Sequence, residues 1–490
     1  MSRLKLCHAF VWVVVLACFS GSAVAQDRLF YRPATTWDRG LISWGHSEPQ
    51  PSRSPIRQAA FSDDLTIGRS DSPPLPGSDE PDAEIAPHAG VPLQNEQPVY
   101  RPLADVFDPS KYPTVRVTGF FHLDTGWFGQ DATNRLTVGD MQDGSSFRRA
   151  RIAAKGNVTE QTRYIIEFDF AASQPRFVDV FMEFDDVPLL GHVRIGRWRQ
   201  PFGMAELTSV RDLPFLERAT PFTFTPFRQT GIGFFDHSDE ETMTWALSGY
   251  RFQDDAFGNN TGDNGGWGLT GRMTFLPYYE DEGRRLVHFG LDYSFNDPST
   301  DLLRYFNQPE IEIGRTLGGL LQSPFSGVPA FVNTGFIPTS HVNLFGVEAA
   351  GAMGQLYVQS EVRWAVVKLL DGTTETLPGA YVQFRYVLTG EKLPYKRDSG
   401  VFGRIVPHED FDFHGGPGAW EATFRWSYID LNGDGFPGPG RRLNDLTTGM
   451  NWYINGHTKI QFNYIHAFLN DPVLGESDAD IAAVRAQIDF

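Results

Sequence analysis

Arginine is the residue whose number and spacing in this chain most suggest chemistry. The sequence holds 35 arginines and 7 lysines, and no lysine lies between Lys155 and Lys368. The guanidinium group forms planar, paired hydrogen bonds with carboxylate or phosphate, whereas an ammonium group acts as a point charge. Many of these arginines stand at alternate positions beside apolar residues, where they could hold or guide an oxyanion. This candidate set is Arg149, Arg151, Arg163, Arg194, Arg363, Arg385, Arg425 and Arg485, together with Arg116 and Lys155.

Acidic residues follow the same alternation. They are Glu167, Asp169, Asp179, Glu183, Glu361 and Glu421. Opposite charges on neighbouring strands form pairs across a sheet, and an arginine paired in this way is not free to hold an anion. The sequence therefore leaves two alternatives open, a row of arginines that attracts anions or a set of arginine–carboxylate pairs that only stabilises the protein.

Two other clusters could do chemistry, and both have weaker support. Asp430, Asn432 and Asp434 resemble the start of a calcium-binding loop, but Arg441 stands where the loop needs a glutamate ligand, so an ordinary turn is favoured. The residues from Asp236 to Asp239 form a local group of hydrolytic residue types, which we interpret as a turn at a strand end. Since no G-x-S-x-G or P-loop motif occurs, we expect neither hydrolysis nor a cofactor.

The elements that must position these residues are β-strands. From Thr114 onward, segments of about ten residues alternate between apolar and polar side chains and are separated by turn residues. The segments from Val178 to Asp185 and from Trp420 to Tyr428 are examples. We predict an all-β fold, a transmembrane antiparallel β-barrel of about 16 strands with its apolar face toward lipid. A water-soluble β-sandwich with the apolar faces turned inward is the alternative.

The two ends of the chain indicate export to the outer membrane. Residues 1–25 combine Arg3 and Lys5 with a short apolar core and a small-residue cleavage site, which predicts a signal peptide. A lipoprotein signal using Cys18 is the weaker alternative. Alternate residues from Val484 to Phe490 are apolar, and a last strand that closes on an aromatic residue resembles the signal for insertion into that membrane. We therefore expect Phe490 to contact the barrel-assembly machinery.

Composition sets further limits on organisation and partners. Residues 26–110 are rich in proline and poor in apolar residues, so we expect a mostly disordered periplasmic extension before a barrel over residues 111–490. The net charge of -18 argues against a nucleic-acid partner. Both cysteines, Cys7 and Cys18, lie in the expected signal peptide, which excludes disulfides and thiolate metal sites from the exported protein.

Several dispersed segments resemble the phosphate-selective porin O and P family. They are residues 200–231, the stretch GAYVQFRYVLTG at 379–390, Gly418 to Glu421 and Gly449 to Asn455, and the resemblance extends over residues 114–490. It implies a trimeric, sixteen-stranded outer-membrane barrel in which an inward-folded loop narrows the pore and basic residues guide phosphate. By position, Arg211, Arg218 and Arg228 would lie on or near that loop. The loop contains no lysine, however, although lysines also contribute to phosphate selectivity in the family.

The interpretation that joins these observations is an outer-membrane porin. We expect passive diffusion of small hydrophilic solutes, with a preference for anions or phosphate if the inner arginines are free. The expected partners are outer-membrane lipid, small anionic or hydrophilic solutes and two further copies of the chain in a homotrimer. The alternatives are a barrel enzyme of the phospholipase or protease type, and a structural barrel that tethers layers of the cell envelope.

Overall fold

Sixteen long strands make up most of the computed structural model, which describes residues 112–171, 175–314 and 327–490. The expected signal peptide and the whole of the expected proline-rich extension lie outside the described residues. The strands are β1 (Arg116–Gln130), β2 (Gly144–Thr159), β3 (Thr162–Asp169), β4 (Arg176–Val187), β5 (Gly191–Arg199), β6 (Arg228–His237), β7 (Met243–Arg251), β8 (Trp267–Glu280), β9 (Arg285–Asp297), β10 (Ile337–Met353), β11 (Leu356–Leu369), β12 (Thr374–Val387), β13 (Ala419–Asp430), β14 (Arg442–Tyr453), β15 (Thr458–Asp471) and β16 (Gly475–Asp489).

The strands form one closed antiparallel sheet. Each pairs with its neighbours along the chain, and β16 pairs with β1 from Phe120 opposite Asp489 to Gln130 opposite Ala479. The predicted sixteen-stranded antiparallel barrel is confirmed. We call the end where β1 begins and β16 ends the periplasmic end, and the opposite end extracellular.

The two faces of the sheet differ in the way that the alternation predicts. Large apolar side chains stand exposed on the outside, among them Leu291 at 56% and Phe462 at 44%. The inward-facing Arg485, Gln487 and Asp489 are buried. Because the apolar faces are exposed rather than packed together, the arrangement is that of a barrel and not of a soluble sandwich.

Strand closure brings Phe490 onto the first strand. The backbone N–H groups of Gly119 and Phe490 each donate to the carbonyl of the other residue at 3.0 Å. A Cβ on Gly119 would lie 2.7 Å from the Phe490 ring and 2.6 Å from the Arg151 carbonyl. Glycine is therefore needed here because the backbone and the terminal aromatic ring approach it closely.

Helices are short in the described part of the chain. An α-helix, α1 (Ala132–Val138), follows β1 and begins at Asp131, whose side chain accepts a hydrogen bond from the Asn134 N–H. A second α-helix, α2 (Met204–Leu207), and two 3-10 turns (Thr220–Thr223 and Asp281–Gly283) lie in connections between strands. None of the described helices has the length and apolar composition needed to cross a membrane.

Three connections between strands are much longer than the others. Residues 200–227, which we call the crossing loop, join β5 to β6, and residues 298–336 join β9 to β10. The sequence did not separate strand from loop between Leu302 and Asn343; the structure has three two-residue strands there (Leu302–Leu303, Phe306–Asn307 and Val332–Asn333) before β10. Residues 388–418, which we call the inserted segment, join β12 to β13 at the periplasmic end and carry the strand pair Tyr395–Lys396 and Val401–Phe402.

Candidate pore constriction

The first residues of the crossing loop hydrogen-bond to the part of the barrel wall that lies opposite β5, the strand that precedes the loop. The Gly203 N–H donates to Asp292 Oδ1 at 2.9 Å, and the Ala205 N–H donates to Glu361 Oε1 at 2.7 Å. Gly203 has φ +82°, and a Cβ there would lie 2.1 Å from an Arg363 nitrogen. Because only glycine fits this position, the sequence fixes where the loop turns into α2.

The middle of the loop attaches to the last strands of the barrel. The Lys459 ammonium donates to the carbonyls of Arg211 and Leu213 at 3.1 and 3.0 Å. Gln487 also donates to the Arg211 carbonyl, at 3.1 Å. The loop therefore spans the lumen, from β9 and β11 on one side to β15 and β16 on another.

Glu217 is the most highly coordinated charge on the crossing loop. It accepts hydrogen bonds from Arg148 at 2.8 and 3.1 Å and from Arg149 at 3.2 and 2.9 Å. Arg485 donates to the same carboxylate at 2.9 Å and also pairs with Asp124. Burial alone would raise the pKa of the Glu217 carboxyl, but the three guanidinium groups hold it well below its usual range. Glu217 is therefore a fixed negative charge that binds the loop to β2 and β16.

The connection between β9 and β10 contributes a second buried carboxylate. Glu310 accepts hydrogen bonds from Arg425 Nε at 2.9 Å, from Ser427 at 2.6 Å and from Thr447 at 2.8 Å. Arg425 also donates to the Glu217 carbonyl at 3.1 Å. Arg425 thus joins both inward-folded connections to the wall.

Arg218 stabilises the crossing loop from within. Its guanidinium donates to the carbonyls of Ala205, Glu206 and Thr208, and Arg199 donates to the last two of these carbonyls as well. Burial lowers the pKa of the Arg218 guanidinium to about 10, which leaves it charged at neutral pH. Since its donors are used by loop carbonyls and its side chain is buried, Arg218 acts on the conformation of the loop.

The remaining predicted arginines are paired with carboxylates on the inner wall. The pairs are Arg151 with Asp169 (3.1 Å), Arg163 with Glu183 (2.5 Å), Arg194 with Glu183 (2.6 Å), Arg228 with Asp179 (2.8 Å), Arg363 with Glu361 and Arg385 with Glu421 (2.6 Å). Of the eleven predicted arginines, only Arg218 has no carboxylate within 4 Å in the described chain. The geometry favours the paired alternative over a row of free arginines.

A basic cluster of Arg116, Lys155 and Arg211 lies near the periplasmic end. Arg116 and Lys155 stand directly opposite each other on β1 and β2, an arrangement of like charges that is destabilising in a sheet. The charges of Arg116 and Arg211 both act on the Lys155 ammonium. Within the described residues, Arg116 and Lys155 have no carboxylate within 4 Å, and the carboxylate nearest to Arg211 is Asp489, at 3.8 Å. These three cations are therefore only weakly neutralised by the carboxylates of the described residues.

The inserted segment bonds to the crossing loop and to opposite parts of the wall at the periplasmic end, and no periodic pattern in the sequence predicts it. Arg404 pairs with Asp212 on the crossing loop at 3.0 Å and with Asp489 on β16 at 2.7 Å. Arg272 on β8 donates to the carbonyls of Ser399 and Gly400, both at 2.9 Å. The signal that could have found this segment is the loss of alternation between residues 388 and 418, at an end of the barrel where turns are usually short.

The structure also shows where the two other clusters of the sequence lie, the one that resembles a calcium loop and the one with hydrolytic residue types. Asp430 is bonded within its own connection, where its carboxylate accepts hydrogen bonds from the Asn432 N–H and from Arg442. Asp434 is exposed nearby, and an ordinary turn rather than a calcium site stays the prediction there. In the periplasmic turn after β6, the Ser238 hydroxyl accepts from the N–H groups of the turn and not from His237, as expected of a strand-end turn.

One group of three potential metal ligands occurs in the described part of the chain. Ligand atoms of Glu183, Asp185 and His192 lie within 4.8 Å of one another. Arg163 already donates to Glu183 at 2.5 Å and to Asp185 at 2.6 Å, and Arg194 also pairs with Glu183. The guanidinium groups neutralise the carboxylates that a cation would need, so this group resembles a charge network more than a metal site.

Comparison with known proteins agrees with this geometry. The family described as phosphate-selective porin O and P matches residues 115–490. A protein of Caulobacter vibrioides without an assigned function is 26% identical over 395 residues, covering 77% of this chain and 74% of that protein. Porin O of Pseudomonas aeruginosa is 25% identical over 378 residues, covering 72% of this chain and 83% of that protein.

Among solved structures, an anion-selective porin from Comamonas acidovorans is similar with a TM-score of 0.47 and 11% identity, covering 76% of this chain and 99% of that one. That similarity is too low to support an argument about this chain. The family match is different, because it includes every strand of the barrel and the crossing loop. The chain therefore belongs to the phosphate-selective porin O and P family and is a porin of the bacterial outer membrane.

Proposed function

We propose that this porin passes small hydrophilic solutes by passive diffusion with a moderate preference for anions. The observation that carries the proposal is the basic cluster of Arg116, Lys155 and Arg211, where the crossing loop meets β1 and β2. Weakly neutralised cations beside a water-filled path attract anions and repel cations. The paired arginines of the wall add little to this field, because a carboxylate lies beside each of them.

Strong phosphate selectivity has less support than a general anion preference. Phosphate recognition needs several donors that are free to turn toward one oxyanion. Here the arginines around Glu217 and Glu310 donate to protein acceptors instead. The Porin O relative and the name of the family are the remaining support for phosphate.

The test is the reversal potential of single channels across a potassium chloride gradient. We expect a chloride-preferring wild type, and we expect Arg211→Ala to lower the chloride-to-potassium permeability ratio about twofold to threefold, as for loss of one partly screened charge near the path. The matched control is Arg135→Ala, which removes an exposed arginine from α1 at the extracellular end. A cation-preferring wild type, or equal effects of the two substitutions, would reject the proposal.

We also propose that the barrel assembles as a homotrimer through the wall that contains β15 and β16. Asp480 stands on the outer face of β16, about half exposed, where Tyr464 and His466 bond to it at 2.6 Å. A carboxylate on a lipid-facing wall is unfavourable, so a protein neighbour is the better environment for it. The mass of the detergent-extracted protein tests this proposal: Asp480→Lys should shift a trimer toward monomers, and a monomeric wild type would reject it.

A further inference from the structure

A cavity of about 500 Å³ lies in the periplasmic half of the barrel. The inner faces of β5, β6, β7 and β8 form one side, the inserted segment forms the other, and residues of the crossing loop lie over it. This volume is in the range of pockets that hold organic molecules. An opening of this size beside the path is a place where a solute can pause during passage.

One side of the cavity is apolar and aromatic. Trp198 and Phe235 line it from β5 and β6, and Leu207 and Val401 line it from the crossing loop and the inserted segment. His192 stacks on Phe235 with the two ring planes 16° apart. This side offers dispersion contacts to a flat apolar group and few hydrogen bonds.

The four arginines of the lining are committed to protein acceptors. Arg163 and Arg194 pair with Glu183, and the Arg194 guanidinium lies over the Phe235 ring at 4.8 Å. Arg272 bonds Glu348 and the inserted segment, while Arg199 bonds carbonyls of the crossing loop. These groups cannot surround an inorganic oxyanion without giving up existing partners.

The hydroxyl groups of the lining are also engaged. Ser248 donates to Gln200 at 2.6 Å, and Ser399 donates to Asp398 at 3.0 Å. Thr244 shares a hydrogen bond of 2.6 Å with Thr274, outside the lining. The lining therefore has few uncommitted donors for a multiply charged ligand.

Lys396 is the exception among the cations. It is exposed on the inserted segment, and within the described residues it has no carboxylate within 4 Å and no side-chain hydrogen bond. Its backbone is held in the strand pair with Val401, and the neighbouring Tyr395 hydroxyl bonds His288 at 2.6 Å. A fixed backbone with a free ammonium group provides one positive charge beside the apolar side of the cavity.

We propose that this cavity binds monocarboxylates that carry a ring-sized apolar body, with the carboxylate on Lys396 and the ring against Phe235 and Trp198. One free cation matches one negative charge, and the aromatic wall matches the ring. Inorganic phosphate would find a single free donor and an apolar surface. The proposal rests on the proposed function, because the solute must enter by the channel, and it deepens that function by naming a substrate class.

Titration calorimetry on the detergent-extracted full chain tests the site with benzoate as the probe. We expect benzoate to bind and its neutral analogue benzamide to bind at least tenfold more weakly, as for loss of a charge-assisted contact. Lys396→Gln should raise the dissociation constant of benzoate about tenfold, and Lys396→Arg should restore most of the affinity. The control is Lys392→Gln, which removes a cation from the same segment that is paired with Glu282 and does not line the cavity; it should leave benzoate binding unchanged.

The outcomes separate this site from the channel function. If the wild-type protein did not conduct chloride, the proposed function itself would be rejected. Normal chloride conductance without benzoate binding would reject only the cavity site. Equal effects of the Lys396 and Lys392 substitutions would reject it too, and so would phosphate binding as tight as that of benzoate, since the site would then recognise charge alone.

Discussion

Glu217→Gln should make the channel more selective for anions. The substitution keeps the size of the side chain and one acceptor oxygen but removes a negative charge that Arg148, Arg149 and Arg485 now share. The three guanidinium groups would then balance one fewer carboxylate at the level where the crossing loop attaches to β2 and β16. The expected change is thus the unmasking of a positive charge that the native protein already contains.

The size of the effect follows from the charge and its distance from a passing ion. One elementary charge about 7 Å away changes the energy of an ion by about 0.6 kcal/mol at the dielectric constant of water. Screening at 0.1 M salt roughly halves this value. Since chloride and potassium respond with opposite signs, their barriers separate by about 0.6 kcal/mol, which is roughly a threefold rise in the chloride-to-potassium permeability ratio. The value is a lower limit, because the protein wall screens less than water.

Reversal potentials measured at two pH values provide the assay. The three guanidinium groups hold the pKa of the Glu217 carboxyl well below its usual range, so the native side chain stays ionised at pH 5 as well as at pH 7. The stabilisation from this ionised carboxylate is present above the pKa of an ordinary carboxyl and is lost only as pH falls through the lowered native pKa. The difference between wild type and Glu217→Gln should therefore be the same at pH 7 and pH 5.

The control is Asp471→Asn, which removes the carboxylate partner of Arg441 at the extracellular end of β15. It deletes the same charge from a similar pair away from the crossing loop, and we expect no change in selectivity. An unchanged permeability ratio in Glu217→Gln, with normal conductance, would show that ions do not pass near this carboxylate. An equal rise in both variants would show that total charge, and not its position, sets the selectivity.

Two glycine substitutions test the fold that supports the pore. Gly119→Ala should prevent the Phe490 ring from lying on β1 and should reduce the heat-resistant, folded fraction on gels. Gly129→Ala is the control and should leave that fraction unchanged, because a Cβ at this position would make only ordinary contacts. Equal gel mobility of the two variants would contradict this account of closure. Gly203→Ala should release the start of the crossing loop, since a positive φ and the nearby Glu361 disfavour a side chain there by about 1–3 kcal/mol, and single-channel conductance should rise. An unchanged conductance would mean that this attachment does not narrow the path.

The barrel could be predicted because its information is local. Alternation along a single strand, as from Val484 to Phe490, determines which side chains meet lipid and which meet the interior. About sixteen or seventeen such segments occur, and closure with both ends of the barrel on the periplasmic side requires an even number, which gives sixteen without any knowledge of which residues touch. The sequence also predicts that the eleven candidate arginines lie on inward faces or on or near the crossing loop. This can be predicted because alternation along a strand and position in a loop do not depend on long-range contacts.

The partners of these arginines could not be predicted, because they come from distant parts of the chain. Glu217 bonds Arg149 across 68 residues of sequence and Arg485 across 268. From the sequence, the inner arginines could be either free or paired with carboxylates. Which of the two holds depends on how the crossing loop lies in the lumen. The inserted segment was missed for a related reason: its fold depends on contacts with the wall, such as those of Arg272, and not on a periodic pattern of its own.

The paired interior suggests how selectivity arises in a barrel with more acidic than basic residues. A guanidinium group with a carboxylate partner contributes little to the electric field felt by an ion in the pore. Breaking a buried pair costs about 3–5 kcal/mol. Adding further arginines to such a wall would create new pairs, because buried acids such as Asp445 already lack hydrogen-bond partners in the described structure. Losing one acid exposes a cation that is already held in place. A change of selectivity in this barrel therefore follows more readily from loss of a carboxylate, as in Glu217→Gln, than from gain of an arginine.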